Sequence, residues 1–248
     1  MPINRKDLKT KAKAAFKANY ACSVIVAIIM GLLTIGLTLN ANFNNATANE
    51  VSYDATYSSI TQGISQSNSS GVLTALAGIS LAAAVIIFLI NIFVLNPLKV
   101  GGYSFFVKNN HEKAKLGELF YAFKNNYANS VVALLLQEVF LCLWTLLFII
   151  PGIVKSYSYA MVPFLLADDP ELQATEVITK SRQMMNGYKW QMFVLDLSFL
   201  GWEILSAITC GLVGIFYVNP YIYQTKAELY EFLKSEEESK KLQNTATV

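Results

Sequence analysis

FKNNYANSVVALLLQEVFLCLWTLLFII, residues 123–150, carries only two charged side chains, Lys124 at its start and Glu138 within it. Residues 131–150 run for one bilayer's width without Gly or Pro, matching the ~20 residues a helix needs to cross ~30 Å of hydrocarbon. A helix on a soluble core would interrupt its apolar positions with polar ones every third or fourth residue. This run reads as a membrane span.

Five more near-uncharged runs flank it, at 21–39, 72–95, 153–167, 190–209 and 211–225. They explain why 54% of the 248 residues are hydrophobic and only 15% charged, where a soluble chain carries about a quarter charged. The net charge of +2 is too small to point to nucleic acid. The runs at 153–167 and 211–225 have 15 residues each, short enough to be re-entrant. Charge placement decides for crossing. Segments 1–20, 96–130, 168–189 and 226–248 hold six, five, three and four Lys or Arg, 18 of the chain's 19. Cytoplasmic loops collect such residues, so six spans with both termini inside leave the outer loops with none. The remaining cation, Lys155, falls just inside the outer boundary of the fourth span. The basic lead of about twenty residues and the long first run read as a signal anchor, not a removable signal peptide. Residues 40–71, rich in Asn, Ser and Thr, read as an external loop.

FKNNYANSV (123–131) has a counterpart in FKANYACSV (16–24), identical at seven of nine positions, and a looser echo in MNGYKWQMF (185–193). The even-numbered runs match too, with VLNP (94–97), AMVP (160–163) and YVNP (217–220). The repeating unit is a basic cytoplasmic helix, a span out, and a span back containing a proline. Leu116, Leu119, Phe120, Phe123 and Tyr127 mark one face of the second cytoplasmic helix. Ala174, Val177, Ile178, Ser181, Met184, Met185 and Tyr188 mark the third, with Asp169-Pro170-Glu171 as its expected start. Such helices are expected along the inner leaflet, their Lys and Arg toward anionic headgroups. A soluble hairpin packed on the bundle is the alternative.

Each proline frees a backbone carbonyl inside a span, and Asn96 and Asn219 precede two of them. Water channels also carry paired Asn-Pro-Ala motifs, but here alanine follows neither proline, the repeat is threefold, and no Arg guards a pore. Four charged residues lie at membrane depth: Glu138, Lys155, Asp196 and Glu203. An acid near mid-span costs about 2.5–3.5 kcal/mol on insertion scales, so none should face lipid. Glu138 and Asp196 are expected at one depth, and Lys155 is expected to pair with Glu203. Such a set is either a register-fixing polar network or a proton or cation site. Asn91 and Gln137 are expected to bridge helices by hydrogen bonds. Cys22, Cys142 and Cys210 have no ligand spacing, and His111 stands alone in a Lys/Asn-rich loop. No HExxH, GxSxG or Walker loop is present, so no metal, cofactor or catalytic residue is assigned.

PGIVKSYSYAMVPFLLADDP (151–170), SRQMMNGYKW (181–190), LDLSFLGW (195–202) and YVNPYI (217–222) resemble an uncharacterised family of bacterial multi-pass membrane proteins, domain of unknown function 975. The resemblance runs from about Asn4 to Leu233, apart from 40–71. It implies a location in the cytoplasmic membrane of Gram-positive bacteria and no activity. Asp196 lies inside one of these motifs, whereas Glu138 and Glu203 match none. A weaker similarity in layout links the chain to the membrane domain fused to some glycerophosphodiester phosphodiesterases, which has no catalytic residues of its own. The expected protein is all-α: one six-span domain over 1–233, in three helix-plus-hairpin repeats, and a disordered charged tail at 234–248. Its expected role is non-enzymatic, as an accessory or scaffold in the cell membrane, with lipid or envelope homeostasis as the expected setting. A small transporter or channel using the intramembrane carboxylates is the alternative.

Overall fold

The computed structural model describes residues 3–32, 82–83 and 85–246, and every regular element among them is helical. The segment 40–71, expected to be an external loop, and the adjoining ends of the first two apolar runs lie outside the described residues. The chain starts with α1 (Arg5–Ala18), capped by the Asn4 side chain accepting from the Asp7 N–H at 3.3 Å. Asp7 in its first turn and Lys17 in its last both suit the helix dipole. Its Leu8, Ala12 and Phe16 recur at four-residue spacing and are buried. At Asn19 the chain turns by 103° into α2 (Tyr20–Leu32).

The helix α3 (Val85–Lys108) passes through a π turn at Asn91–Leu95. A 3-10 turn (Leu116–Phe120) and α4 (Tyr121–Lys124) lead to α5 (Tyr127–Leu147). Then come α6 (Ile149–Ser158), α7 (Val162–Asp168), α8 (Ala174–Met184), α9 (Lys189–Leu197) and α10 (Leu200–Ile208). A second π turn, Gly214–Val218, opens α11 (Asn219–Ala246).

Four of these helical runs are long and apolar enough to cross a membrane: Val85–Lys108, Tyr127–Leu147, Ile149–Asp168 and Lys189–Ile208. A fifth is added if α1 and α2 form one broken span. Several sequence boundaries move. The second run does not stop at Leu95, because the π turn absorbs the proline and the helix continues to Lys108. The fourth begins at Ile149, so it is 20 residues long instead of 15. The sixth run, 211–225, is not among the helices that meet the length and apolarity of a span. In the charged tail, α11 runs through Ala246. Residues 234–246 contain no Gly or Pro and pair Lys241 with Glu237 one turn apart at 2.8 Å. The third amphipathic helix starts at Gln173, not Asp169: the Gln173 N–H donates to the Glu176 carboxylate at 3.2 Å.

The core lies where α3, α7 and α11 meet. The Phe164 ring sits 4.6 Å from Tyr103 and is stacked 5.7 Å from Tyr230, and Phe106 is stacked 5.5 Å from Tyr223. Around these helices α1 packs on α11, the 3-10 turn on α3, and α8 on α5 and α7. The stripes of α1 and α8 are buried in protein. In the segment between them Leu119 is buried, while Leu116, Phe120 and Phe123 stay exposed. Gly101 permits one close crossing: a Cβ there would lie 1.8 Å from the Leu119 carbonyl oxygen.

Candidate functional site

The prolines of α3 and α11 determine the first polar contacts. Pro97 and Pro220 have no N–H to donate to the carbonyls four residues earlier, those of Phe93 and Phe216. Tyrosine hydroxyls donate instead. The Tyr127 hydroxyl reaches the Phe93 carbonyl at 2.6 Å, and the Tyr20 hydroxyl reaches the Phe216 carbonyl at 3.1 Å. These two tyrosines occupy the same position in FKNNYANSV and FKANYACSV. The third differs. The Tyr159 carbonyl, four residues before Pro163, accepts from the Val162 N–H at 3.1 Å in a tight turn. Tyr188 is buried and donates to Glu236 at 3.2 Å. The residue before the tyrosine has positive φ in two of the three segments, 47° at Asn126 and 83° at Gly187.

Glu138 is held by α3. The buried Asn96 amide donates to its Oε1 at 3.1 Å, and Lys99 donates to the Asn96 Oδ1 at 3.3 Å. Asp196 pairs with Lys226 at 3.3 Å, and its charge also acts on the Tyr157 hydroxyl. Glu138 and Asp196 thus belong to separate clusters with different partners. The expected Lys155–Glu203 pair does not form. The Lys155 ammonium sits 4.5 Å over the Trp144 ring, while Glu203 lies within electrostatic reach of Tyr223. An aromatic face on the adjoining α5 is available to Lys155 directly across the α5–α6 turn, so no distant acid is needed. Gln137 is also unlike its expectation, since its buried Oε1 has no hydrogen-bond partner.

A second polar knot escaped sequence reasoning. The Asn109 amide donates to Gln224 Oε1 at 2.8 Å and to the Ala15 carbonyl at 3.2 Å. Asn19 donates to Asn109 Oδ1 and to the Ala114 carbonyl, both at 2.9 Å. Gln224 donates to the Phe106 carbonyl at 3.1 Å and to Asn110. These amides join α1, α3, the loop after α3 and α11. Asn109 and Asn110 look like ordinary loop residues in sequence, and Asn19 is set apart only by lying inside the repeated FKANYACSV. Nearby, Asp168 accepts from Tyr230 at 2.8 Å and from Lys234 at 2.7 Å. Burial pulls the Lys234 ammonium down, but its hydrogen bond to Asp168 together with the charges of Asp168, Glu231 and Glu238 outweighs this and leaves it above its ordinary value.

Five open cavities lie on the described surface, and Glu138, Asp196 and Glu203 line none of these five. Among the described residues no group of three or more His, Cys, Asp or Glu could hold a metal. What the site offers is fixed hydrogen bonding between helices. No curated protein and no solved structure matches the chain. A family described as protein of unknown function, DUF975, matches residues 148–237 and so contains all four quoted motifs, though it does not reach back to Asn4. Over that segment, 90 of the chain's 248 residues from the α5–α6 turn into α11, the chain is similar to the DUF975 family.

Proposed function

We propose that this chain is a non-enzymatic, six-span protein of the bacterial cell membrane, acting as an accessory or scaffold, with both termini cytoplasmic. The observation that carries this reading is that Glu138 and Asp196 are each engaged by a partner on another helix, Asn96 and Lys226. A transport site would instead hold a titrating carboxylate on a water-filled path. Three helix-plus-hairpin repeats belong to the same proposal. They are supported by the two matching tyrosine-to-carbonyl bonds and by a cyclic packing order. In that order the first repeat's α1 lies on α11, the second's 3-10 turn on α3, and the third's α8 on α7. Contact with the inner leaflet is proposed chiefly for the segment 113–124, with the exposed Leu116, Phe120 and Phe123 in the acyl boundary and Lys113, Lys115 and Lys124 toward anionic headgroups.

The Asn-Pro breaks in α3 and α11 keep a small transporter or channel as the second reading, and one preparation separates the two. If Asp196 fixes helix register, Asp196→Asn leaves Lys226 uncompensated and costs about 1 kcal/mol. Asp196→Asn with Lys226→Met restores thermal stability, and the parent gives no pH-driven flux in proteoliposomes. Proton flux in the parent that disappears in Asp196→Asn, with unfolding unchanged, overturns the scaffold proposal.

A further inference from the structure

Between α6 and α9 lies an apolar groove of about 350 Å³ lined by Ile153, Val154, Tyr157, Lys189, Trp190 and Phe193. That volume lies within the ~300–1,000 Å³ of small-molecule sites. Its wall is continuous aromatic surface: the Trp190 and Phe193 rings are 5.2 Å apart, and Tyr157 meets Phe193 edge-on at 6.1 Å. Trp190 is 71% exposed, so the groove opens outward, away from the core.

The charge beside it is mainly positive, with three cations against one acid, Asp196, whose charge acts on the lining Tyr157. Lys189 is part of the lining, and the charges of Lys189 and Arg182 both act on Lys155. Among the described residues none of these three cations forms an ion pair, whereas Lys108, Lys226 and Lys234 are paired with Glu118, Asp196 and Asp168. The nearby acid, Asp196, is the one already neutralised by Lys226. An apolar slot with unneutralised cations beside it is complementary to an acyl chain ending in an anionic headgroup. A second copy docking on this face through a twofold axis would bring like cations together.

We propose that this groove seats one anionic phospholipid, with an acyl chain against Ile153, Val154, Tyr157, Trp190 and Phe193. Its phosphodiester is bound by Lys189, with Arg182 and Lys155 adding to the field. The inference rests on the membrane reading above and adds to it a discrete site of defined headgroup charge.

The test uses the full-length protein purified in a neutral detergent, with native mass spectrometry during titration with phosphatidylglycerol or phosphatidylcholine. The parent should retain one phosphatidylglycerol in preference to phosphatidylcholine. Arg182→Gln with Lys189→Gln should weaken that binding about thirty-fold. Ile153→Trp, which fills the groove, should abolish it while thermal unfolding stays near the parent's. Lys13→Gln with Lys17→Gln removes the same charge from α1 and should change nothing. Equal loss in the α1 variant, no preference between lipids, unaltered binding by Ile153→Trp, or a dimer in place of bound lipid each overturn the site. Extraction without detergent contradicts the membrane reading itself, and that result is known before any lipid is added.

Discussion

The two halves of α3 face different surroundings. Before the π turn, Val85, Ile86, Phe88, Leu89 and Ile90 point outward. After it, Pro97, Val100, Gly101, Phe105 and Phe106 are buried in protein. The division continues across the molecule. Leu143, Leu146 and Leu147 at the far end of α5 are exposed, while Val131, Ala133 and Leu134 near its start are buried. At about 1.5–3 kcal/mol for a fully exposed large apolar side chain, these five half-exposed residues on α3 alone would leave roughly 5 kcal/mol of burial unrealised in water. One half of α3 and of α5 therefore presents a surface suited to hydrocarbon, and the other half packs into the core. The π turns and prolines sit at the division, where tyrosines satisfy the carbonyls that proline leaves free.

Glycine substitution should break this contrast most sharply. Gly101→Leu drives a side chain into the Leu119 backbone and should cost about 3 kcal/mol or more, seen as loss of a monodisperse peak in detergent. Gly201→Leu, with nothing within 4 Å of its added Cβ, should leave the same profile unchanged. Equal damage at both positions would mean that the outer half is packed against protein as tightly as the inner half.

The tyrosine bonds are a smaller effect. Tyr127→Phe leaves the Phe93 carbonyl without its donor and should cost about 1 kcal/mol. Pro97→Ala supplies an N–H for that carbonyl, so the double variant should lose less than the two single losses combined. Strict additivity in thermal unfolding would sever the link between this hydroxyl and the proline.

Much of this arrangement was legible in sequence. Long uncharged runs locate membrane helices because hydrocarbon admits few charges, and the FKxNYAxSV match located both tyrosines before any contact was known. The far ends of helices were not legible. Leu95 looked like a boundary because Asn-Pro and Lys99 follow it, yet a π turn lets the helix carry on to Lys108. Partner choice failed for a related reason. Lys155 and Glu203 are complementary in charge, but sequence cannot say that Trp144 lies nearer to that ammonium. The Asn109–Gln224 knot joins residues 115 apart and has no local pattern at all.

The smallest effect is expected at Glu228, on the inner half. Burial raises its carboxyl above the ordinary value, with Lys11 opposing and Glu231 adding to the shift. An acid whose folded pKa is raised destabilises the fold above that pKa, and the cost fades as pH falls through it toward the unfolded value. Glu228→Gln should therefore melt slightly higher than the parent at neutral pH, with the gap closing in acid. A gap that widens on acidification would mean that the carboxylate, not the acid, is the form the fold prefers.

Cys210 offers the most direct test of the division into an inner packed half and an outer hydrocarbon half. It is a free, exposed thiol with φ 52° in the turn between α10 and the second π turn, on the outer side of a six-span arrangement. With Cys22 and Cys142 replaced by serine, a membrane-impermeant maleimide should label Cys210 in intact cells. With Cys210→Ser added and Lys113→Cys introduced in the loop after α3, labelling should require permeabilised cells. Protection of Cys210 in intact cells, or labelling at position 113 without permeabilisation, would contradict the six-span account.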